Sequence, residues 1–390
     1  MVNAVYAYPW CLSSDDVEAR INYLGDLGLT AISLAASYHA GKFIQPGNTR
    51  QRVSFPEDGC IYFHPQLSYP RLKPKVAACT QNDDVLDTLS RRGDIQINAW
   101  TVLCHNSRLG LEQPHATVRN AFGDSYPYSL CPVNPDVREY GITLCADLVR
   151  HYPVAQLLLE TPGFLTYSHG YHHEFAQVEL NACLEAWLGL CFCEHCIAGA
   201  SQEGIDAIGL KQQATRRIDG LLTANGTPTA DMAQSWLLAD LAQQPELVAF
   251  LQWRCRQLTQ FVADIAAAVG NRASLKIIPT TQRPHATAFW EGTDLCSIAR
   301  VCDGLELPLY QPSADAMLCD AEDVIHRVGS VDSLSAILRP GWPDMTSESQ
   351  LLDSVQHLKR LGIRDIAFYH FDMLRPVNFD WLKHALRDAA

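Results

Sequence analysis

The sequence contains no apolar run close to the length of a membrane-spanning helix, which needs about 20 consecutive apolar residues. Its opening residues, Met1 to Val5, include neither the basic segment nor the apolar stretch of a secretory signal. These two absences predict a cytoplasmic protein without a membrane partner.

Positive charge is also scarce. The chain has 30 Lys and Arg residues against 43 Asp and Glu residues, which gives a formal net charge of −13. No basic run and no alternation of aromatic and basic residues is present, so a phosphate backbone finds no obvious counter-charge. We therefore predict no nucleic-acid partner and assign the acidic excess to solubility.

Cysteine, by contrast, is abundant, with 14 residues in the chain. Without an export signal they are expected to be reduced thiols and not a disulfide framework. Most are isolated in apolar surroundings, as at Cys104, Cys145 and Cys302, and these are predicted to be small buried hydrophobic residues.

Short apolar runs separated by helical patterns recur along the chain and predict the strands of a parallel α/β fold. Eight such runs are found at Val2–Tyr8, Thr30–Ala36, Ile95–Leu103, Ala155–Glu160, Leu275–Pro279, Asp303–Leu309, Leu334–Leu338 and Ile366–Tyr369. This number favours an α/β fold of the (β/α)8 TIM-barrel type. An open doubly wound sheet is the alternative, although no Gly-x-Gly-x-x-Gly motif follows the first run.

No clear linker, internal repeat or low-complexity segment divides the chain, so residues 1–390 are predicted to form a single barrel domain with two insertions. The first insertion, about 37–74, contains two β-like runs around Pro56–Gly59 and predicts a β-hairpin over 52–63. The second, about 176–270, is largely helical and is interrupted at Asn225–Pro228.

Three cysteines within six residues, Cys191, Cys193 and Cys196, have the spacing of a metal clamp. Tetrahedral zinc needs a fourth ligand, for which Cys131 is the best candidate, with Cys183 and His195 as alternatives. A site of four thiolates has no open coordination position, so it would be structural. The alternative is a set of free thiols in a helix–turn segment.

A carboxylate, Glu160, ends the apolar run Leu157–Leu159, which places an acid at the mouth of the predicted barrel, where active sites gather. A histidine-rich loop, His169 to Glu174, follows it. That loop does not contain His-Glu-x-x-His, so a zinc protease is not indicated. The loop could instead hold Mn²⁺ or Zn²⁺ together with Glu160 and His105.

The segment from Cys131-Pro132-x-Asn134-Pro135 through Glu160 to the three clustered cysteines resembles the family-42 glycoside hydrolases, which are β-galactosidases. The resemblance implies that Cys131, Cys191, Cys193 and Cys196 hold a structural zinc and that Glu160 is the general acid/base. The family has Asn before its acid/base, where this chain has Leu159. It also has a glutamate nucleophile after the seventh strand, where this chain continues into Arg339–Asp344 without one.

Glycoside hydrolysis requires a second carboxyl group beside Glu160. The order of preference from the sequence is Asp372, Glu306, Glu174 and Asp344. Side chains expected to bind substrate are aromatic or polar and fall near strand ends or on the histidine loop. They are Trp10, Tyr38, His39, Trp100, His105, Asn106, His172, His173, Glu174, Arg339, Trp342, Tyr369 and His370.

The leading hypothesis is therefore a hydrolase that cleaves the glycosidic bond of a small glycoside or oligosaccharide, with structural zinc as its metal. The alternatives are a metal-dependent sugar isomerase, epimerase or lyase that uses residues 169–174, and a non-catalytic sugar-binding barrel. A carbohydrate is the expected partner, and self-association into a homo-oligomer is left open.

Overall fold

A computed structural model describes residues 2–12, 16–48, 51–171 and 175–387. Its central feature is a parallel barrel in which the first strand pairs with both the second and the eighth. The barrel strands, numbered in chain order, are β1 (Asn3–Ala7), β2 (Ala31–Tyr38), β3 (Gln96–Val102), β4 (Gln156–Glu160), β5 (Ser274–Ile278), β6 (Gly304–Pro308), β7 (Leu334–Leu338) and β8 (Ile366–Phe368). The predicted (β/α)8 barrel is confirmed, and each strand overlaps its predicted apolar run.

Helices follow the strands and cover the outside of the barrel. They are α1 (Val17–Asp26), α2 (Ala78–Asn82), α3 (Val85–Ser90), α4 (Ser107–Glu112), α5 (Pro135–His151), α6 (Ala182–Leu188), α7 (Glu194–Gln202), α8 (Ala207–Leu222), α9 (Ala230–Gln243), α10 (Pro245–Val269), α11 (Leu295–Ala299), α12 (Ala314–Val328), α13 (Glu348–Leu361) and α14 (Pro376–Arg387). The predicted interruption at 225–228 separates α8 from α9. None of the helices in the described ranges is long and apolar enough to cross a bilayer.

The alternation of side chains along β4 explains why Glu160 points into the barrel. Successive side chains of a strand point to opposite faces. Leu157 and Leu159 belong to the core between the strands and the helices, whereas Leu158 packs inside the barrel with Tyr6 and Trp100. Glu160 has the same parity as Leu158 and therefore points inward, at the carboxyl end of the strand.

The insertion after β2 differs from its prediction. Val53–Ser54 pairs antiparallel with Phe43–Ile44. Cys60–Ile61 pairs instead with the end of β2 and with Lys75–Val76. The predicted hairpin over 52–63 is therefore wrong. The physical reason is that β2 extends to Tyr38, and its free edge there accepts the buried segment Cys60–Ile61.

The insertion after β4 forms a second apolar core beside the barrel. Helices α6, α7 and α8 pack against the first half of α10 through large buried side chains, among them Trp187, Phe250 and Trp253. The clustered cysteines lie in this second core, next to the loop that follows β4.

Candidate active site

Glu160 lies in the mouth of the barrel and keeps a partly exposed side chain. The Trp100 indole Nε1–H on β3 donates a hydrogen bond of 2.6 Å to its Oε2. Removal of water from the carboxyl group raises its pKa to about 7, and the Trp100 hydrogen bond opposes this shift only in part. A carboxyl group that titrates near neutral pH can donate a proton and take it back.

Tyrosine side chains surround Glu160. Burial raises the pKa of each, and the negative charge of Glu160 contributes to the shift at Tyr6, Tyr38, Tyr310 and Tyr369. A fifth, Tyr8, has its hydroxyl 3.0 Å from that of Tyr38 and 2.8 Å from that of Tyr369. The mouth therefore combines aromatic faces with hydroxyl groups, a combination that suits a sugar.

The backbone after Glu160 is strained. Thr161 has φ of +49°, which a β-branched residue rarely adopts, and its buried hydroxyl has no hydrogen-bond partner. A hydrogen bond from the residues after β3 stabilises this conformation, because the Cys104 N–H donates to the Thr161 carbonyl at 2.9 Å. Strain of this kind costs about 1–3 kcal/mol and concentrates at functional sites.

Glu291 is a second carboxylate at the mouth that sequence reasoning missed. It lies at the end of the 3-10 helix His285–Glu291, in the loop after β5, and is buried. Burial raises its pKa to about 7, and the charge of Glu160 adds to the shift. The Thr280 hydroxyl donates a hydrogen bond to it, and the Gln282 N–H in turn donates one of 2.9 Å to the Thr280 hydroxyl oxygen. No periodic signal in the sequence points to this position, since the residue lies well past the end of its strand.

Two of the predicted partner carboxylates are engaged elsewhere. Glu306 is buried inside the barrel, where Tyr6 donates a hydrogen bond of 2.7 Å and Ser335 one of 3.3 Å. Asp344 accepts two hydrogen bonds from Arg339, at 2.5 and 2.8 Å. Arg339 itself does lie at the mouth, after β7.

Asp372, the preferred partner from the sequence, follows β8 and is buried with no hydrogen bond to either carboxylate oxygen in the described structure. It faces the Cys11 thiol and lines a groove of about 370 Å³ that Arg20 and Phe371 also line, and burial raises its pKa to about 6. Glu174 lies outside the described residues.

Several predicted substrate-binding rings do come together. Trp10 stacks on Tyr8 at 4.2 Å between ring centroids, and His370 stacks on the same tyrosine at 3.9 Å. Both ring nitrogens of His370 are buried without a hydrogen-bond partner, and burial holds its pKa well below the usual value. His370 is therefore a neutral imidazole beside Trp100, at 6.4 Å.

The predicted histidines form a row along the rim. His39 stacks on Tyr38 at 4.2 Å and on His105 at 3.9 Å, and His105 lies 5.3 Å from His169. The His105 Nε2 is 3.0 Å from the carbonyl oxygen of Gly170. His172 and His173 fall outside the described residues.

Two further candidates lie apart from this row. The buried Asn106 caps α4 by accepting a hydrogen bond of 2.9 Å from the Leu109 N–H. Trp342 is 83% exposed in the loop after β7.

The four predicted cysteine ligands converge. The Cys131 Sγ lies 3.6, 3.9 and 3.6 Å from the sulfur atoms of Cys196, Cys191 and Cys193. Zinc–sulfur bonds of about 2.3 Å in a tetrahedron put the sulfurs roughly 3.8 Å apart, so this spacing fits one ion. Within the described part of the chain, these buried thiols are the one group of three or more metal-ligating side chains whose ligand atoms lie within 4.8 Å of one another.

A buried cation lies beside the cysteine cluster. Arg254 on α10 is fully buried, its Nε and Nη1 have no hydrogen-bond partner, and its Nη2 donates to the Gly189 carbonyl at 3.3 Å. Its guanidinium carbon lies 4.0 Å from the centroid of the Phe164 ring, in the loop that follows Glu160. A buried charge needs a counter-charge, and a divalent ion held by four thiolates carries a net negative charge. The arginine therefore fits an ion-binding cluster.

No protein-family model and no curated protein matches the sequence. Solved structures with the same fold include the glycoside hydrolase domain of PgaB (BpsB) from Bordetella bronchiseptica, 14% identical with a TM-score of 0.60 over all of this chain and 98% of that one. The β-amylase catalytic domain from Paenibacillus polymyxa is 10% identical with a TM-score of 0.58 and 98% of its chain covered. The β-galactosidase from Marinomonas ef1 is 10% identical with a TM-score of 0.58, and this chain spans 59% of it.

Proposed function

We propose that the protein is a glycoside hydrolase that acts on a small glycoside or oligosaccharide, with Glu160 as its general acid/base. The observation that carries the proposal is an inward-pointing carboxyl group at the end of β4, with its pKa raised to about 7 amid tyrosine side chains. The solved structures of similar fold named above are glycoside hydrolases by name, which agrees with it.

In this mechanism the protonated Glu160 gives its proton to the glycosidic oxygen as the bond to the sugar breaks. The Trp100 indole N–H fixes the carboxyl group at 2.6 Å and leaves its other oxygen available for the leaving group. The strained turn at Thr161 keeps the side chain aimed at the mouth. An acid with a pKa near the working pH is the efficient choice for this step.

We assign the second carboxyl role to Glu291, with Asp372 as the sequence-based alternative. Glu291 is close enough to Glu160 for the charge of Glu160 to raise its pKa, and the Thr280 hydroxyl donates a hydrogen bond to it. Asp372 instead lines a separate groove beside Arg20. The second group either attacks the sugar or activates a water molecule, and the separation of the two carboxyl groups decides which.

The cysteine cluster completes the proposal as a structural zinc site held by Cys131, Cys191, Cys193 and Cys196. Zinc with four thiolates supplies a cross-link and no reactive position. This cross-link would brace the insertion after β4, whose core contacts the loop beyond Glu160 through Arg254 and Phe164.

The test is a panel of aryl glycosides whose leaving groups range from dinitrophenol to simple phenols. For Glu160→Gln we expect kcat/KM to fall about 10²- to 10⁴-fold on poor leaving groups, and far less on dinitrophenyl glycosides, which need no acid. Glu139→Gln, at an exposed position of α5, serves as the control. An equal loss across the series, or none, would remove Glu160 from the acid role.

The same panel decides between the two partners. If Glu291 is the second carboxylate, Glu291→Gln abolishes turnover on every substrate, activated ones included, and Asp372→Asn does not. The reverse result would return the role to Asp372.

A further inference from the structure

Two arginines share one tyrosine ring at the barrel mouth. Arg283 follows β5 and Arg339 follows β7, and their guanidinium carbons lie 5.0 and 4.6 Å from the centroid of Tyr310. Tyr310 follows β6, at the same end of the barrel as Glu160. Its neighbour Tyr369 lies 6.1 Å away and is itself 6.0 Å from Trp100, the hydrogen-bond donor to Glu160.

The two arginines differ in whether a carboxylate neutralises their charge. Arg339 is neutralised by Asp344, which accepts two of its hydrogen bonds. Arg283 donates one long hydrogen bond, of 3.4 Å, from Nη1 to the Pro308 carbonyl. Within the described residues no carboxylate lies within ion-pair distance of Arg283.

Two acidic groups whose charges act on Arg283 already have hydrogen-bond partners of their own. Asp344 binds Arg339. Asp320 accepts hydrogen bonds from the backbone N–H and the ring Nδ1 of His285, at 2.9 and 2.8 Å. Arg283 is half-buried, so its charge is only partly solvated. A half-buried guanidinium at the mouth of a site can bind an anion through those N–H groups that the protein does not hydrogen-bond.

We infer that the site recognises a sugar with an anionic substituent, a carboxylate or a sulfate ester, which binds Arg283. This inference rests on the proposed carbohydrate function and narrows its substrate class. The planar fork of the guanidinium accommodates two oxygens of one acidic group. The Tyr310 ring packs against one face of the Arg283 guanidinium, and the Pro308 carbonyl accepts a hydrogen bond from its Nη1.

The experiment measures binding, so that it does not depend on turnover. Ligand-observed NMR titrations of Glu160→Gln protein compare glucuronate and galacturonate with glucose and galactose, and glucose 6-sulfate forms the second arm. We expect an anionic sugar to bind at least 10-fold more tightly than its neutral counterpart, and the arm with the tighter binding identifies the acidic group. Equal binding, or no detectable binding of the anionic sugars, would overturn the inference.

Variants at the two ends of β5 provide the matched comparison. Arg283→Met should lose the preference for the anionic sugar by about 10- to 100-fold, and Arg283→Lys should retain part of it, because lysine keeps the charge without the fork. Arg272→Met removes an exposed arginine before the same strand and should change nothing. Thermal unfolding checks that each variant folds, and a preference that survives in folded Arg283→Met contradicts the assignment.

Failure of this inference differs from failure of the proposed function. Hydrolysis of neutral glycosides with no effect of Arg283→Met would keep the hydrolase and reject the anion subsite. Tight binding of sugar acids without hydrolysis of any glycoside would keep the subsite and reject the hydrolase.

Discussion

At the scale of single residues, the protonation state of Glu160 is the property on which the proposed chemistry depends. The pKa of about 7 means that the carboxyl group loses its proton as the pH rises through neutrality. A general acid must carry its proton, so we expect kcat/KM for glycosides with poor leaving groups to fall about 10-fold per pH unit above the pKa.

The measurement is a pH profile from 5 to 9. On dinitrophenyl glycosides the falling limb should be absent, because those leaving groups need no proton. Glu160 and Glu291 both titrate near pH 7, so an observed pKa in this range belongs to the pair. Activity that rises between pH 7 and 9 on poor leaving groups would contradict the assignment of Glu160 as the acid.

The same raised pKa predicts a pH dependence of stability. In the unfolded chain a glutamate titrates near 4.3, so between that pH and about 7 the folded state holds a proton that the unfolded state has lost. Stability from this group is complete below about pH 4 and is lost as the pH rises through the folded pKa. Glu160→Gln should therefore exceed the wild type by only about 1 kcal/mol at pH 5 and by up to about 4 kcal/mol at pH 8, before solvent screening.

Chemical denaturation at the two pH values checks this. Glu139→Gln on the exposed face of α5 is the control and should show the same difference from the wild type at both. If the gain of Glu160→Gln were independent of pH, the raised pKa of this carboxyl group would be refuted.

Among the candidate carboxylates of the site, the sequence predicted the orientation of a side chain where a strand fixes its direction. Glu160 is still within β4, so its inward orientation follows from the alternation of Leu157 to Leu159. Asp372 lies beyond Phe368, the last residue of β8, and no alternation constrains it there. Glu291 is placed by the loop after β5, whose path depends on contacts that no local pattern encodes.

At the scale of secondary-structure elements, the barrel strands were predictable because each is a short apolar run with helices on either side. The segments of two residues in the first insertion were not, since their pairing depends on which edge lies nearby. Val53–Ser54 and Cys60–Ile61 follow one another closely in the sequence, yet they pair with different partners. Cys60–Ile61 pairs with the edge at the end of β2, which is why it does not pair with Val53–Ser54.

The loops after β4 and β5 are packed against each other at Gly163. The Phe164 N–H donates a hydrogen bond of 3.0 Å to the Glu291 carbonyl, and a Cβ on Gly163 would lie 2.3 Å from that same oxygen. Gly163→Ala must therefore push the two loops apart. We expect a loss of about 1–3 kcal/mol in unfolding free energy and a fall in kcat, because Glu160 and Glu291 then change their separation.

Gly220→Ala on α8 is the matched control for this substitution. A Cβ there meets no atom within 4 Å, so the change should be neutral or stabilising by up to about 1 kcal/mol. Urea unfolding and steady-state kinetics on both variants give the comparison. A Gly163→Ala protein with normal kcat would show that the spacing of these loops is unimportant for catalysis.

At the scale of the whole molecule, the cysteine cluster brings together the segment that precedes α5 and the insertion after β4. Cys131 precedes α5 on the barrel, whereas Cys191 and Cys193 lie between α6 and α7 in the insertion and Cys196 lies in the first turn of α7. A bound ion would therefore tie the insertion to the segment that leads into α5. Elemental analysis should find one zinc per chain, and Cys131→Ser should lose it, with about 2–5 kcal/mol of stability, the range for loss of a native cross-link.

We expect the loss to be regional, because all four cysteine side chains belong to the second core and none lies on a barrel strand. Hydrogen exchange in Cys131→Ser should accelerate over α6, α7 and α8 before it does in β1–β8. Cys145→Ala is the control: it removes a buried thiol outside the cluster and should keep the zinc. In Cys131→Ser without zinc, the charge of Arg254 would lack the thiolates that balance it, because Arg254 is buried without a carboxylate partner in the described structure. The loop at Phe164, whose ring packs against Arg254, should then become more mobile. Exchange rates unchanged by metal loss would mean that apolar packing alone holds the insertion in place.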